Sequence, residues 1–143
     1  MKLTEIMKKI NCILLVDDDE SDNFFHSLTI NDADICHLVK VVTDGRHALD
    51  YMIKSADPNL ADEFPRPDII FLDINMPRVD GFEFLEEFNK LDDEIKSGIV
   101  ITMLTTSLNP YDRERAKESK LIREFNNKPL TTEMLLEIVD KYF

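Results

Sequence analysis

The sequence predicts an α/β domain, a doubly wound parallel sheet of five strands with five helices. Short apolar runs alternate five times with longer amphipathic segments, and the apolar runs are unbroken rather than alternating in polarity. An unbroken apolar run is typical of a strand buried on both faces, as in a parallel sheet whose crossover helices cover both sides. The length of 143 residues fits one domain.

The first two strand–helix repeats lie before residue 56. Residues 12–16 and 38–42 are predicted strands, because both are short and rich in branched apolar residues. A helix is expected at about residues 21–31, and another after the Asp44-Gly45 pair. Apolar residues at helical spacing are Phe24, Phe25 and Leu28 in the first helix and Ala48, Leu49, Met52 and Ile53 on one face of the second.

A loop then leads to the third repeat. Residues 55–67 contain three prolines and are predicted to be a loop. This connection is longer than a minimal loop between a strand and a helix, and we interpret the extra length as a tolerated insertion. Residues 68–73 form the third predicted strand. Asp80 and Glu83 have the spacing of a capping box, which begins the third helix. The phenylalanines expected in the core from this helix are Phe82, Phe84 and Phe88.

The last two repeats begin with a predicted strand at residues 99–104. Asn109-Pro110 has the pattern of an N-cap followed by proline, so a helix is expected to reach about residue 119. Residues 121–127 form a weaker fifth predicted strand. Thr131 caps the last helix, and the residues expected on its core face are Met134, Leu135, Ile138 and Val139, with Leu130 and Leu135 placed to form a hydrophobic staple.

Charge and hydropathy exclude several function classes. The chain has 29 acidic and 17 basic residues, a net charge of −12. Nucleic-acid backbones and anionic membranes both require a basic surface, so neither is an expected partner. The longest apolar runs are far shorter than the roughly 20 residues that span a bilayer, and no signal peptide is visible, so a cytoplasmic location is expected.

The cysteines and histidines do not have metal-site spacing. Cys12 and Cys36 lie 24 positions apart, so we expect two reduced, buried thiols. We interpret His26, His37 and His47 as surface or boundary residues and predict no zinc site.

Polar residues follow four of the predicted strands. Asp17 and Asp18 follow the first, Asp73 ends the third, Thr105 follows the fourth and Lys128 follows the fifth. The carboxyl ends of parallel strands meet at one edge of the sheet, which is where ligands bind in such folds. Clustered carboxylates repel one another unless a cation such as Mg²⁺ binds between them. A metal, a lysine and a hydroxyl together suit a phosphoryl group, which a carboxylate can attack.

Four motifs resemble those of the receiver domain of two-component response regulators, over about residues 10–143. The matching segments are residues 13–18, residues 68–77 with Asp80-Gly81, residues 104–107 and residues 127–130. The resemblance implies a flavodoxin-like sheet with strand order 2-1-3-4-5. It also implies a single receiver domain over residues 1–143, with no output domain.

The resemblance implies roles for the acidic residues. Asp73 is similar to the phosphoacceptor of the family, and Asp18 to a direct Mg²⁺ ligand. Asp17 would act on the ion mainly through water, and the backbone carbonyl of Asn75 would be a further protein ligand. Mg²⁺ is therefore the implied cofactor, with Asp73 as a ligand as well.

The resemblance also implies roles at the other two strand ends. Thr105 is similar to the hydroxyl residue that follows the phosphoryl group, with Thr106 as the competing candidate. Lys128 would pair first with the acceptor and then with the phosphate, and Pro129 would follow a cis bond. Phe125 has the position of the aromatic switch residue, where a tyrosine is more usual.

The function implied is phosphoryl acceptance from a sensor histidine kinase or a histidine phosphotransfer protein, and not conventional enzyme turnover. The chain would catalyse only its own phosphorylation and dephosphorylation. It would signal to a downstream protein, or to a second copy in a homodimer, through the face of the fourth helix, fifth strand and fifth helix. Two alternatives remain: a phosphatase of the haloacid dehalogenase kind, in which Asn75 stands where a second aspartate is expected, and a pseudo-receiver that acts by binding alone.

Overall fold

A computed structural model describes residues 10–143 and contains one five-stranded sheet in the order β2-β1-β3-β4-β5. Every neighbouring pair of strands is parallel. This confirms the predicted α/β fold and strand order. The strands are β1 (Ile10–Val16), β2 (Cys36–Val42), β3 (Ile69–Leu72), β4 (Val100–Thr105) and β5 (Ile122–Asn127).

Five helices follow the five strands in turn. They are α1 (Glu20–Ala33), α2 (Gly45–Ser55), α3 (Gly81–Asn89), α4 (Pro110–Glu118) and α5 (Thr132–Tyr142). Two short turns were not predicted, a 3₁₀ turn at Pro58–Leu60 and a one-turn α-helix at Asp93–Lys96. The predicted fifth strand begins one residue too early, at residue 121 rather than at Ile122.

Two apolar layers cover the two faces of the sheet. One lies beneath α2, α3 and α4 and includes the three phenylalanines of α3, which are buried as predicted. The other lies beneath α1 and α5 and includes Leu130 and Leu135, the two residues of the expected staple. Cys12 and Cys36 are both buried, again as predicted. The helices therefore cover both faces, which accounts for the unbroken apolar strands.

Side-chain caps begin all five helices, three of them at the predicted residues Asp80, Asn109 and Thr131. Asp80 accepts from the Glu83 N–H at 2.9 Å, and the Glu83 carboxylate accepts from the Asp80 N–H at 3.3 Å, which completes the capping box. Each cap satisfies an N–H that the first turn leaves without an intrahelical partner. The other capping residues are Asp19, Asp44, Asn109 and Thr131.

The inner face of α1 differs from what its apolar pattern suggests. Phe24 and Phe25 are about three-fifths exposed, at 61 % and 62 %, and Leu28 is also exposed. Asn23 and His26 are buried instead, together with Ile30. The interpretation of His26 as a surface or boundary residue is therefore wrong, because α1 directs polar residues towards the carboxyl edge of the sheet. Ile53, predicted on the inner face of α2, is also exposed.

The long loop before β3 is packed against α2. The Tyr51 hydroxyl donates to the Pro65 carbonyl oxygen at 2.6 Å, and its ring meets that of Phe64 edge to face with centroids 5.5 Å apart.

Among residues 10–143, no helix has both the length and the apolar composition needed to cross a membrane.

Candidate functional site

Asp17 and Asp73 lie side by side at the carboxyl edge of the sheet. Each follows the last residue of a strand, and the strand ends Val16 and Leu72 are paired in the β1–β3 register. The Asp73 N–H donates to the Val16 carbonyl at 3.0 Å, which continues the ladder beyond β3. Both aspartates are buried, whereas Asp18 is exposed.

A backbone N–H fixes one oxygen of each buried aspartate. Asp17 Oδ1 accepts from the Asp19 N–H at 2.9 Å, and Asp73 Oδ1 accepts from the Ile74 N–H at 2.8 Å. The second oxygen, Oδ2, faces the ammonium of Lys128 in both residues. The two carboxylates are therefore oriented before any ligand binds, which is an advantage for a site that must position a reacting group.

Lys128 links three carboxylates. Its Nζ lies 2.6 Å from Asp17 Oδ2, 2.8 Å from Asp22 Oδ2 and 3.3 Å from Asp73 Oδ2, and its side chain is 8 % exposed. Burial alone would lower the pKa of Lys128, but hydrogen bonds to Asp17 and Asp22 and the charge of Asp73 outweigh it, so the pKa lies above its usual value. Lys128 therefore stays protonated. The peptide bond between Lys128 and Pro129 is cis.

Sequence reasoning missed Asp22, the third partner of this lysine. It lies in the first turn of α1, beside the cap Asp19. A residue in the first turn of a helix that starts at the carboxyl edge of the sheet can face that edge. This position was the one available signal.

The acidic residues fit a hard divalent cation. One carboxylate oxygen from each of Asp17, Asp18 and Asp73 lies within 4.8 Å of the others. Oxygen-only donors at this spacing suit Mg²⁺ or Mn²⁺, which take several oxygen ligands about 2.1 Å away. Asn75 lies two residues beyond Asp73 and is exposed, so its backbone is in the loop next to this cluster.

Thr105 is the fully buried last residue of β4, and Thr106 beside it is exposed. The Thr105 hydroxyl oxygen accepts from the Ser107 N–H at 3.2 Å. Asn127 holds the same loop, because its side-chain N–H₂ donates to the Ser107 carbonyl at 2.9 Å and to the Thr105 carbonyl at 3.3 Å. Asn127 thus connects the loop after β4 to the end of β5, next to Lys128.

Phe125 is half-buried on β5 and is covered by a cation. The Arg113 guanidinium carbon lies 4.9 Å from the centroid of the Phe125 ring. The same guanidinium donates to Asn127 Oδ1 at 3.4 Å. Contacts therefore run from the Thr105 loop through Asn127 and Arg113 to the aromatic ring.

The loop between β3 and α3 is fastened to the start of α2. Asp44 is buried, and its carboxylate accepts from the Arg78 guanidinium and from the His47 N–H. The Gly45 N–H donates to the Val79 carbonyl at 3.1 Å. Arg78 has a positive φ of 65°, a backbone conformation that residues other than glycine rarely adopt. Its contact with Asp44 holds the loop in this conformation.

Two buried polar residues of α1 lie behind the aspartates. The Asn23 side chain donates to the Asp17 carbonyl at 2.8 Å, while its Oδ1 has no hydrogen-bond partner among the described residues. His26 is buried beside it, and that burial lowers the pKa of the imidazole. Asn23 and His26 border the same small space as Asp17 and Asp73.

Comparison with known proteins identifies similar chains. Residues 13–140 match the family described as response regulator receiver domain. The chain is 33 % identical over 100 residues to response regulator Rcp1 of Synechocystis, a match that covers 70 % of this chain and 65 % of Rcp1. The chain therefore spans slightly less than two-thirds of that relative.

Solved structures agree with this match. A two-component response regulator from Cytophaga hutchinsonii superposes with a TM-score of 0.81 at 30 % identity, covering 94 % of this chain and 97 % of that one. The Mn²⁺-bound form of Rcp1 gives 0.69 at 27 % identity, covering 92 % and 90 % of the two chains. The phosphorylated cyanobacterial phytochrome response regulator RcpA gives 0.70 at 29 %, covering 92 % and 89 %.

Proposed function

The chain belongs to the response regulator receiver domain family of two-component signalling, and we propose that its Asp73 accepts a phosphoryl group from a phosphohistidine. The donor would be a sensor histidine kinase or a histidine phosphotransfer protein, acting in the cytoplasm. Phosphorylated RcpA, a structure similar to this chain, supports a phosphoryl-accepting role. The observation that carries the choice of Asp73 is its buried carboxylate, which is fixed at one oxygen and paired with Lys128 at the other.

The proposed step is an in-line displacement at phosphorus. An Asp73 oxygen forms a bond to phosphorus as the phosphorus–nitrogen bond of the donor breaks, and the imidazole leaves with that electron pair and takes up a proton. Lys128 is within reach of Asp73 and stays protonated, so it can neutralise the phosphoryl oxygens without donating a proton.

Asp17, Asp18 and Asp73 would hold Mg²⁺, with the backbone carbonyl of Asn75 as a further ligand. A bound divalent cation would supply charge neutralisation for the transferring phosphoryl group. The three carboxylate oxygens, which lie within 4.8 Å of one another, support this, as does the Mn²⁺-bound form of Rcp1. Asp17 and Asp18 would also keep the cation beside Asp73 because they follow the adjacent strand.

The signal would leave through protein contacts. We propose that Thr105 follows the phosphoryl group and that Phe125 responds, which alters the surface of α4, β5 and α5. The series of contacts from Thr105 through Asn127 and Arg113 to Phe125 supports this coupling. The recipient would be a downstream protein or a second copy, since a net charge of −12 disfavours nucleic acid.

The test is phosphorylation by a small phosphodonor. Incubation with acetyl phosphate and Mg²⁺ is expected to add one phosphoryl group, visible as an adduct in the intact mass. Asp73→Asn should abolish the adduct, because an amide oxygen is a poor nucleophile, while Asp62→Asn at an exposed loop position should leave it unchanged.

This experiment, a cation-binding titration and an aryl phosphate assay together separate the alternatives. An adduct that survives Asp73→Asn would contradict the proposed acceptor. Divalent-cation binding without any adduct would favour a pseudo-receiver, and continuous turnover of an aryl phosphate would favour a phosphatase.

A further inference from the structure

Asp22 contacts Lys128 without belonging to the candidate metal cluster. The ammonium contacts Asp17 and Asp73, which follow strands, and also the carboxylate of Asp22, on α1. The cluster that can surround a cation consists of Asp17, Asp18 and Asp73, so Asp22 pairs with the lysine from outside that cluster.

A divalent cation and Lys128 would draw on two of the same carboxylates. Oδ2 of Asp17 and Oδ2 of Asp73 both face Nζ, and the same two residues belong to the cluster that could hold the cation. A cation bound among these carboxylates would weaken two of the three lysine contacts and repel the ammonium. The contact with Asp22, at 2.8 Å, lies outside that cluster and would be the one left intact.

Asp22 is well placed to keep its hold on the ammonium. Its N–H donates to the capping carboxylate of Asp19 at 3.0 Å, which fixes its backbone at the start of α1. Its side chain is 33 % exposed, so its negative charge is not fully desolvated when the ammonium moves.

We propose that Asp22 is a positioning residue that retains Lys128 when a divalent cation binds and thereby sets the affinity of the site for that cation. Without Asp22, the partners that remain to the ammonium among the described residues are Asp17 and Asp73, two of the carboxylates that the cation needs, so it competes more strongly for them. The inference rests on the proposed function, because it assumes that the three carboxylates bind a metal.

The test is a double-mutant cycle read by calorimetric titration with Mg²⁺ and with Mn²⁺ alone. Asp22→Asn is expected to weaken both affinities about fivefold to tenfold, the range of a single close charge interaction. Glu20→Gln removes an exposed carboxylate from the same helical turn and should change them less than about twofold. In a Lys128→Gln background, Asp22→Asn should have no more effect than Glu20→Gln.

Two outcomes overturn the inference. Equal weakening by Asp22→Asn with and without Lys128 would mean that the charge of Asp22 acts directly on the cation. Unchanged or tighter metal binding by Asp22→Asn would mean that Asp22 does not reduce the competition of Lys128 with the cation for Asp17 and Asp73. If Asp22→Asn does not fold, Asp22→Glu replaces it in the cycle, and its expected loss of affinity is smaller but again confined to the background with Lys128.

The proposed function fails on different results. A wild-type protein that binds neither Mg²⁺ nor Mn²⁺ overturns both the metal site and this inference. A wild-type protein that binds metal and is phosphorylated on Asp73, with affinities insensitive to Asp22→Asn, overturns the inference alone.

Discussion

His26 is a buried imidazole that borders the same small space as the site aspartates. Burial lowers its pKa below the usual 6.5, and Lys128 adds to this, while Asp22, Asp19 and Asp73 oppose it. The folded protein therefore favours the neutral ring, whereas the unfolded chain takes up a proton at the ordinary pKa.

We predict that part of the stability is lost as the pH falls through 6.5 towards the lower folded-state pKa of His26. In that window the unfolded state binds more protons, so acidification favours unfolding. His26→Gln should lose less stability than the wild type between pH 7.5 and 5.5, as measured by urea denaturation at several pH values. His37→Gln, at an exposed position, is the matched control. Parallel pH profiles for the wild type and His26→Gln would contradict this prediction.

At the residue scale, the sequence identified the groups that lie at strand ends. Asp17, Asp18 and Asp73 were predicted at one edge of the sheet because the ends of parallel strands converge, and the structure places them together. Asp22 and Asn127 were missed because their roles depend on side-chain direction. Asp22 reaches Lys128 from a helix, and Asn127 bonds across to the loop after β4.

At the scale of elements, strands were easier to predict than the inner faces of helices. The central strands β1, β3 and β4 are buried by both layers, so composition alone marks them. In α1, by contrast, the first turns border a polar site, and Asn23 and His26 face inward while Phe24 and Phe25 face solvent. Apolar periodicity therefore indicated that α1 is a helix but not which side of it is buried. The caps at Asp80, Asn109 and Thr131 were local signals and were predicted correctly.

The contact between Asp44 and Arg78 joins two elements, the start of α2 and the loop that leads from Asp73 to α3. Burial opposes ionisation of Asp44, but the His47 N–H and the Arg78 guanidinium outweigh it and lower its pKa. A lowered folded-state pKa contributes stability that is present above the unfolded value of 3.8 and is lost as the pH falls through the folded value.

We predict that Asp44→Asn lowers the free energy of unfolding at pH 7 by about 1–2 kcal/mol, because the amide can still cap α2 but loses the ion pair. The difference from the wild type should shrink as the pH falls below 3.8, measured by thermal unfolding. Asp57→Asn changes another capping aspartate, at the 3₁₀ turn, and is the control. A deficit that stays constant at low pH would show that the ion pair is not its source.

At the scale of the whole molecule, the charge is much larger than the site requires. Among the described residues, three acidic side chains lie in the candidate metal cluster, so most of the net charge of −12 that comes from 29 acidic and 17 basic residues lies elsewhere. Such an excess destabilises a compact state through self-repulsion, which salt screens.

We predict that raising KCl from about 10 to about 150 mM, which shortens the screening length from about 30 to about 8 Å, raises the Tm by about 3 °C. Replacing the exposed Asp62, Glu63 and Glu137 by amides brings the net charge to −9, and the gain with salt should become smaller. Differential scanning calorimetry measures both. A Tm that falls with added KCl would show that ion pairs dominate over net repulsion.

The contacts between Thr105 and Phe125 have a consequence for any protein that binds over Arg113. Binding free energies are reciprocal between two coupled sites. If phosphorylation of Asp73 changes the affinity of the Phe125 surface for a protein by some factor, that protein must change the phosphorylation equilibrium by the same factor. Binding of the target at this surface then changes the phosphorylation equilibrium of Asp73 in return. The concentration of the target therefore influences the fraction of molecules that are phosphorylated.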